Sequence, residues 1–327
     1  MTGAAGASTA GPAIVVTDHA FGGTVHEEAL ARATGRALAV HGCVTAEETA
    51  EAVRGADLVF VNFAPVTRSV LAALAPGATV IRYGIGYDNV DVDAARELGV
   101  RVANVPDYGV DTVADHTLAC LLALLRRTGP FTAAVRERGW LAAADLGPVR
   151  GFAETTVGLV GTGRIGRAVA ARLRPFRFEV IAYDPFVAPE QLAAEGIEQV
   201  ELPELLERAH AVTLHAPLTE GNRHLIGPDS LAAMRSDAVL VNTSRGGLVD
   251  ETALAEALAG GRLAGAALDV FDPEPLDAAS PLRALENVIL TPHAAFYSVS
   301  SLDALQRLAA EEGARALAGE PLRCAVV

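Results

Sequence analysis

Short apolar runs rich in β-branched residues alternate with helix-like segments along almost the whole chain. The runs are nearly continuous rather than alternating with polar residues, which is typical of strands buried on both faces of a parallel sheet. The pattern therefore predicts an α/β fold. The predicted strands are 13–18, 57–63, 79–84, 101–105, 156–161, 179–184, 211–217, 238–244, 264–270 and 287–292, and the predicted helices include 92–98, 165–173, 202–208 and 251–259.

The strands fall into two series, separated by residues 111–140, whose pattern indicates one or two long helices. We therefore predict two doubly wound parallel-sheet domains of the Rossmann or flavodoxin-like type, with a ligand cleft between them. The helix predicted at 300–319 could return to the first domain. The predicted boundaries are 1–113 plus 297–327 for a substrate domain and 114–296 for a cofactor domain.

Composition and charge narrow the class of protein. Of 327 residues, 51% are hydrophobic and 20% are charged, which is typical of globular proteins. The net charge of −14 argues against a nucleic-acid partner, because phosphate binding needs a basic surface. No run approaches the roughly 18 apolar residues of a membrane span. Residues 1–13 are expected to be a flexible tail, since they lack the basic start and apolar core of a signal peptide.

The three cysteines are far apart and suggest no disulfide framework, which fits a reducing cytoplasm. Cys120 stands in the apolar run TLACLLALL and is expected to be a buried structural thiol. The histidines show no metal-ligand spacing, so no metal is expected.

A glycine-rich stretch, TVGLVGTGRIGRAVAARL, contains the pattern G-x-G-x-x-G. The match is weak by itself, but it follows a predicted strand and opens a predicted helix. There Gly161 permits a tight turn, Gly163 lets a pyrophosphate approach, and Gly166 lets helix and strand pack closely. Asp184 ends the next strand, where an acid binds the adenosine ribose and favours NAD over NADP. The residues predicted to bind NAD here are Gly161, Gly163, Arg164, Ile165, Gly166 and Asp184.

A second glycine pair, in RYGIGYDNV, does not complete this pattern, because Asn89 stands where the third glycine would be. We predict no dinucleotide site there. The backbone N–H groups near Gly84 and Gly86 could hold a small anion such as a carboxylate.

Three polar residues, Arg245, Glu274 and His293, follow apolar strands of the second series. The carboxyl ends of parallel strands line the ligand crevice of such sheets. Taken singly, each residue has an ordinary alternative interpretation as a surface arginine, one of many acids or a loop histidine.

Several segments resemble, in order and spacing, the signatures of D-isomer-specific 2-hydroxyacid dehydrogenases. They are VGLVGTGRIG, LVNTSRGGLVDETAL, GAALDVFDPEPL and ILTPHAA, and with IRYGIGYDNVDVDAARELGVRVANVP the resemblance covers about residues 57–318. The most similar branch is that of the C-terminal-binding protein co-repressors, which shares R-x-G-x-G-[FY]-D-N. Phe296 stands where that branch usually has a tryptophan.

The resemblance implies a role for each matching residue. Arg245 would bind the substrate carboxylate and polarise its C2 carbonyl, His293 would be the acid/base, and Glu274 would favour protonated His293. These types suit reduction of a 2-keto acid, because negative charge grows on the C2 oxygen and a proton must reach it. The other implied contacts are Arg82, Gly84, Ile85, Gly86 and Phe296 for the substrate, and His215, Ala216, Pro217, Thr243, Ser244, Arg245, Asp269 and His293 for the cofactor.

The expected function is NAD-dependent hydride transfer between nicotinamide and C2 of a 2-keto or 2-hydroxy acid. The alternative is an NAD(H)-sensing scaffold of the co-repressor type with little turnover. A serine-pathway phosphoglycerate dehydrogenase is a third interpretation, although long forms carry a regulatory domain for which the chain leaves no room. The resemblance also implies a homodimer, and the cysteine usage indicates the cytoplasm.

The substrate itself stays open at this point. Arg82 suggests a second acidic group, whereas Tyr83, Tyr87, Phe296 and Tyr297 suggest an aromatic or bulky apolar tail equally well.

Overall fold

The computed structural model describes residues 14–327, so the tail predicted at 1–13 lies outside the described residues. The fold is α/β, as predicted, with every sheet pairing parallel. The strands are β1 (Ile14–Val16), β2 (Leu38–Val40), β3 (Leu58–Val61), β4 (Thr79–Arg82), β5 (Arg101–Asn104), β6 (Thr156–Val160), β7 (Glu179–Tyr183), β8 (Glu198–Gln199), β9 (Ala211–Leu214), β10 (Val239–Asn242), β11 (Gly265–Leu268) and β12 (Val288–Leu290).

The helices cover these strands and agree closely with the predicted ones. They are α1 (Val25–Thr34), α2 (Ala46–Ala52), α3 (Arg68–Ala73), α4 (Val92–Leu98), α5 (Val110–Leu125), α6 (Thr128–Arg138), α7 (Arg164–Leu173), α8 (Pro189–Ala194), α9 (Leu202–Arg208), α10 (Pro228–Ala233), α11 (Glu251–Ala259) and α12 (Val299–Leu317).

One compact unit consists of residues 14–109 together with Ser298–Val327. Its five-stranded sheet has the order β2-β1-β3-β4-β5, which is the flavodoxin-like order. Helix α12 packs closely on this sheet. Glycine at position 313 allows this approach, since a Cβ there would lie 2.8 Å from the Phe60 ring. The sequence pattern missed β2, which is three residues long and partly exposed.

The other compact unit is Val110–Tyr297. Its seven-stranded sheet has the order β12-β11-β10-β9-β6-β7-β8. The winding reverses between β6 and β9, and ligands of open α/β sheets bind at the carboxyl ends of the strands at such a reversal. The segment predicted as one or two long helices forms α5 and α6, separated at Arg127, whose φ is +50°.

The helix N-termini differ in whether a side chain of the protein accepts hydrogen bonds from their backbone N–H groups. Asp91 caps α4 by accepting a hydrogen bond from Ala94 N, and Asp250 caps α11 in the same way through Ala253 N. Helix α7 begins at Gly163 instead, and no side chain caps it. The helix that follows the glycine motif therefore has no side-chain acceptor at its N-terminus, a place where anions bind favourably.

Among residues 14–327, no single helix is long and apolar enough to cross a membrane. Only α5 and α6 taken together have the length and composition, and a bend of 53° separates them.

Candidate active site

The glycine loop lies between β6 and α7, at the point where the winding of the sheet reverses. Gly161 has a φ of +93°, and a Cβ there would come within 2.9 Å of the backbone of His215 and Ala216. A Cβ on Gly166 would lie 2.3 Å from the carbonyl oxygen of Gly161. The fold itself therefore requires glycine at both positions, one for the turn and one for the close approach of the helix.

Gly163 differs from these two glycines. Its backbone is extended, with φ −66° and ψ −162°, and a Cβ there would meet no atom within 4 Å. Packing within the protein gives no reason for glycine at this position, whereas the close approach of a bound pyrophosphate does. Gly163 is also the uncapped start of α7. These properties fit the phosphates of a dinucleotide.

Asp184 follows β7, and three hydrogen bonds fix its carboxylate. Oδ2 accepts from the backbone N and the hydroxyl of Thr162, both at 2.7 Å, and Oδ1 accepts from Phe186 N at 3.0 Å. Burial alone would raise the pKa of Asp184, but these bonds and the charge of Arg167 hold it below its usual value. The carboxylate is ionised at neutral pH, and its oxygens retain acceptor capacity for a ribose hydroxyl.

The loops after β9 and β10 are joined by hydrogen bonds. Ser244 Oγ donates to the carbonyl oxygen of Ala216 at 2.7 Å, and Thr243 Oγ1 lies 2.8 Å from Thr117 Oγ1 on α5. Burial lowers the pKa of His215 to about 4, so its imidazole is neutral at physiological pH. A hydrogen bond therefore joins the two loops that carry predicted cofactor residues, and His215 adds no positive charge to them.

Arg245 stands at the carboxyl end of β10, in a turn shaped by Asn242. The Asn242 side chain donates to the carbonyl oxygen of Arg245 at 2.8 Å and accepts from Ser244 N at 3.0 Å. A Cβ on Gly246 would come within 2.2 Å of the Phe271 carbonyl group, so the loops after β10 and β11 touch. Sequence reasoning missed Asn242 and Gly246, although a polar residue ending an apolar strand was a usable signal.

Glu274 and His293 form the central hydrogen bond of the site. His293 Nδ1 lies 2.8 Å from Glu274 Oε2, and Glu274 Oε1 accepts from Phe271 N at 3.1 Å. Burial alone would raise the pKa of Glu274. The hydrogen bond and charge of His293, assisted by the Phe271 N–H and by Arg245, hold it below its usual value. Glu274 is ionised at neutral pH, and because a carboxylate only accepts, His293 Nδ1 carries a proton.

Asp269 holds the backbone turn that carries His293. Oδ1 of this buried carboxylate accepts from Thr291 Oγ1 at 2.5 Å and Ala294 N at 2.8 Å, and Oδ2 accepts from Ala295 N at 2.9 Å. In this turn His293 has a φ of +51°, in the left-handed region that residues other than glycine rarely adopt. Such a conformation costs about 1–3 kcal/mol and persists only where surrounding contacts enforce it.

Phe296, predicted as a substrate contact, lies beside the histidine. The ring centroids of His293 and Phe296 are 6.3 Å apart, with the rings edge-on at 75°. The exposed Tyr297 follows it. These residues end the unit that also carries Arg245 and Glu274, so the catalytic candidates and one aromatic neighbour share a single sheet edge.

The other predicted substrate residues follow β4 in the five-stranded unit. Arg82 Nη1 donates to the Tyr83 carbonyl oxygen at 2.6 Å, and Asn104 Nδ2 donates to the Ile85 carbonyl oxygen at 2.6 Å. Gly84 has a φ of +126°. No α-helix starts immediately after this loop, since α4 begins at Val92, in keeping with the prediction that it is not a second dinucleotide motif.

The expectation that Tyr83 contacts a substrate tail is wrong. Its side chain is 1% exposed, and its hydroxyl donates to Glu27 Oε1 at 2.7 Å inside the unit. Tyr87 is exposed, as is Phe63, which follows β3 and was not predicted. The strand pattern cannot separate Tyr83 from Tyr87, because both stand beyond the last paired residue of β4.

Two further features bear on ligands. Among residues 14–327, no group of three or more His, Cys, Asp or Glu side chains is placed to hold a metal ion. A cavity of about 620 Å³ lies in the seven-stranded unit, but at the amino ends of β9–β12, the opposite sheet edge from Arg245. Its lining includes Leu124, Pro148, His210, Val239 and Val288. The cavity therefore does not contain the catalytic candidates Arg245, Glu274 and His293.

Comparison with known proteins gives a consistent result. The family model "D-isomer specific 2-hydroxyacid dehydrogenase, NAD binding domain" matches residues 118–295. The D-3-phosphoglycerate dehydrogenase of Methanocaldococcus jannaschii is 39% identical over 281 residues, which are 85% of this chain and 53% of that protein. The chain spans about half the length of the curated relatives it matches.

Solved structures resemble the chain over nearly its whole length. The TT0316 protein of Thermus thermophilus has a TM-score of 0.86 at 35% identity, covering 96% of this chain and 99% of that one. The D-lactate dehydrogenase of Aquifex aeolicus, solved with NAD and lactic acid, has a TM-score of 0.84 at 26% identity, covering 94% and 96%.

Proposed function

The chain belongs to the D-isomer-specific 2-hydroxyacid dehydrogenase family, and on that premise we propose that it is an NAD-dependent oxidoreductase. It transfers a hydride between nicotinamide and C2 of a 2-keto or 2-hydroxy acid. The observation that carries the proposal is the 2.8 Å hydrogen bond between His293 and Glu274, on the sheet edge that also bears Arg245. A histidine hydrogen-bonded to a carboxylate, on the sheet edge that bears an arginine, suits this reaction.

Each residue has a distinct task in the reduction. Arg245 binds the substrate carboxylate and stabilises the negative charge that grows on the C2 oxygen. His293 in its imidazolium form donates a proton to that oxygen, and because Glu274 holds Nδ1, the donated proton comes from Nε2. The Glu274 carboxylate balances the imidazolium charge. When bound, the nicotinamide supplies the hydride to C2.

We assign NAD to the loops at the carboxyl edge of the seven-stranded sheet, which makes Val110–Tyr297 the cofactor domain and the five-stranded unit the substrate domain. The glycine loop and the N–H groups of Arg164 and Ile165 would hold the pyrophosphate. Asp184 would bind the ribose. The nicotinamide end would contact His215, Ala216, Pro217, Thr243, Ser244 and Asp269.

The substrate contacts in this proposal are Arg245, Phe296, Arg82 and the backbone N–H groups of Gly84–Gly86. Two kinds of substrate tail fit the chemistry. Arg82 suits a phosphate or second carboxylate, in line with relatives named for 3-phosphoglycerate. The exposed Phe63 and Tyr87 suit a bulky apolar tail.

The test is a turnover panel with NADH and 2-keto acids of both kinds, including 3-phosphohydroxypyruvate, pyruvate and phenylpyruvate. We expect reduction of at least one substrate to its D-2-hydroxy acid. His293→Ala should lower kcat by about 10²–10⁴-fold, the range for a positioned acid/base. The partly buried His26, in the other unit, gives the control variant His26→Ala. A folded His293→Ala protein that binds NADH and keeps the wild-type rate would refute the assignment.

The second candidate is an NAD(H)-sensing scaffold of the co-repressor type. It is supported by the motifs shared with that branch, which also retains the arginine, glutamate and histidine. A protein that binds NADH tightly yet reduces nothing in the panel would favour it over the enzyme.

We also propose that the protein is a cytoplasmic homodimer. The dimer rests on the family resemblance. The compartment is supported by the three free thiols Cys43, Cys120 and Cys324, which suit a reducing environment.

A further inference from the structure

His116, in the second turn of α5, lies against the turn that carries His293. Its Nε2 is 3.2 Å from Thr291 Oγ1 and 3.9 Å from Asp269 Oδ1. Thr291 Oγ1 is itself 2.5 Å from the same carboxylate oxygen. His116 precedes residues 118–295, which the family model matches.

The direction of this hydrogen-bond chain follows from the chemistry of its last member. The Asp269 side chain is 1% exposed and takes hydrogen bonds from Thr291, Ala294 and Ala295, the arrangement of an ionised, accept-only carboxylate. Thr291 has one hydroxyl proton, and it donates this proton to Asp269. In its contact with His116, the Thr291 oxygen can therefore only accept a hydrogen bond. His116 Nε2 therefore carries a proton and donates it to Thr291.

The charge of Asp269 also reaches this face of α5. Burial raises the pKa of the Cys120 thiol, one turn after His116, to about 11, and the negative charge of Asp269 adds to the effect. A buried carboxylate is stable only where hydrogen bonds and positive charge or dipoles surround it. Two backbone N–H groups supply part of that shell, and the imidazole of His116, through Thr291, supplies another part.

We propose that His116 is a positioning residue for His293, an inference that rests on the proposed function. By donating to Thr291 it completes the hydrogen-bond shell of Asp269. Asp269 then keeps the turn in which His293, at a φ of +51°, meets Glu274 at 2.8 Å. His116 touches neither substrate nor cofactor in this role. Its effect on the reaction passes through Asp269 to the geometry of the His293–Glu274 pair.

Three variants separate the proposed chain from general packing. His116→Leu removes the donor, His116→Gln keeps an N–H donor, and Thr291→Val removes the hydroxyl at nearly equal shape. His116→Leu should lower kcat about 10- to 100-fold, the scale of a misplaced catalytic group, with a smaller change in KM. His116→Gln should recover most of the loss. The double variant His116→Leu/Thr291→Val should be no slower than the slower single variant, because both changes break one chain.

A second readout does not depend on turnover. The proton on His293 Nδ1, shared with Glu274, should give a downfield proton NMR signal, assigned by its disappearance in Glu274→Gln. The signal should persist in wild type and His116→Gln and broaden or vanish in His116→Leu. His26→Leu is the matched control, since His26 also faces a carboxylate, Asp303 at 3.0 Å, but on the surface of the other unit. It should change neither kcat nor the signal.

The outcomes distinguish this proposal from the proposed function. If wild type reduces a 2-keto acid and His116→Leu keeps both kcat and the signal, the positioning role is overturned while the enzyme assignment stands. If wild type reduces nothing, the proposed function fails and the NMR signal alone decides the role of His116. Equal kcat losses in His116→Leu and His116→Gln would also overturn the positioning role of His116. Should His116→Leu not fold, Thr291→Val makes the same comparison.

Discussion

Asp184 shows how one carboxylate serves both the protein and a ligand. Its Oδ2 accepts two hydrogen bonds from Thr162, which lies between Gly161 and Gly163. The negative charge that would discriminate between cofactors therefore also fixes the conformation of the glycine loop. A variant must keep the shape of the side chain if the two effects are to be separated.

Asp184→Asn keeps this shape and, with its amide oxygen in the place of Oδ2, keeps the bonds from Thr162, while it removes the charge and the bond from Phe186 N. We expect its preference for NADH over NADPH to fall by about 1–3 kcal/mol, the scale of a hydrogen bond to a charged group, because Asn no longer repels a 2′-phosphate. Fluorescence titration with both cofactors measures the ratio of the two Kd values. Asp237→Asn, at a surface ion pair with Arg235, is the control. Equal wild-type affinity for the two cofactors would contradict the prediction.

At the scale of elements, the loop between β6 and α7 places two kinds of glycine side by side. Gly161 has a positive φ, and a Cβ there would press on the backbone of the β9 loop, so a side chain at this position destabilises the fold. Gly163 has ordinary backbone angles and open space around its missing Cβ. The two positions therefore separate the stability of the strand–turn–helix unit from its capacity to bind phosphate.

Gly163→Ala should leave the melting temperature nearly unchanged and weaken NADH binding, because only a bound pyrophosphate would meet the new methyl group. Gly161→Ala should lower the free energy of unfolding by about 1–3 kcal/mol, the cost of a left-handed residue with a side chain. Thermal unfolding without cofactor and NADH titration measure the two effects. A Gly163→Ala protein with wild-type affinity for NADH would argue against a phosphate cradle.

Helix α1 and the end of β4 meet through an unusual buried pair in the five-stranded unit. Glu27 is fully buried, its Oε1 accepts from Tyr83, and its Oε2 has no hydrogen-bond partner within residues 14–327. Burial raises the pKa of Glu27 above its ordinary value, and the bond from Tyr83 offsets only part of this effect. The packing of α1 against β4 is consequently sensitive to pH.

A raised pKa in the folded state means that the folded protein takes up a proton at a pH where the unfolded chain does not. The stabilisation is complete below the unfolded pKa and is lost as the pH rises through the folded one. Wild type should therefore gain stability relative to Glu27→Gln as the pH falls from 8 to about 4.5. Urea unfolding across this range measures it, with Glu28→Gln, exposed on the same helix, as control. A difference independent of pH would contradict the interpretation.

At the scale of the whole molecule, charge and surface features bear on association. The net charge of −14 favours monodispersity and disfavours polyanions. In the seven-stranded unit, however, Trp140, just beyond α6, is 84% exposed. Tryptophan is enriched at the centre of protein interfaces, and a side chain this large is rarely left in water.

We expect wild type to be a dimer by light scattering after gel filtration, and Trp140→Ser to shift it towards the monomer. Phe186→Ser is the matched control, because Phe186 is 94% exposed in the same unit but lies beside Asp184. It should leave the mass unchanged. A wild-type protein that is monomeric at assay concentrations would refute the proposed homodimer.

The sequence by itself determined the features that depend on neighbouring residues. Apolar runs and helical spacing gave the α/β class and the bounds of α4, α9 and α11, because periodicity and caps act within a few residues. The glycine motif was recognisable for the same reason, since its strand, turn and helix are contiguous. Arg245, Glu274 and His293 could be selected because each follows its own strand. Strand β8, two residues long, carries too little pattern to be found.

The tertiary structure alone decided the contacts that join distant segments. The buried hydroxyl of Tyr83 donates to Glu27, which lies 56 residues earlier in the chain. The turn of His293 is fixed by Asp269 from the preceding strand, and His116 reaches Thr291 across 175 residues. A hydrogen bond depends on distance and angle between two groups, and no local pattern records which strands lie side by side. The chemical types in the site are therefore local information, whereas their mutual positioning is a property of the folded sheet.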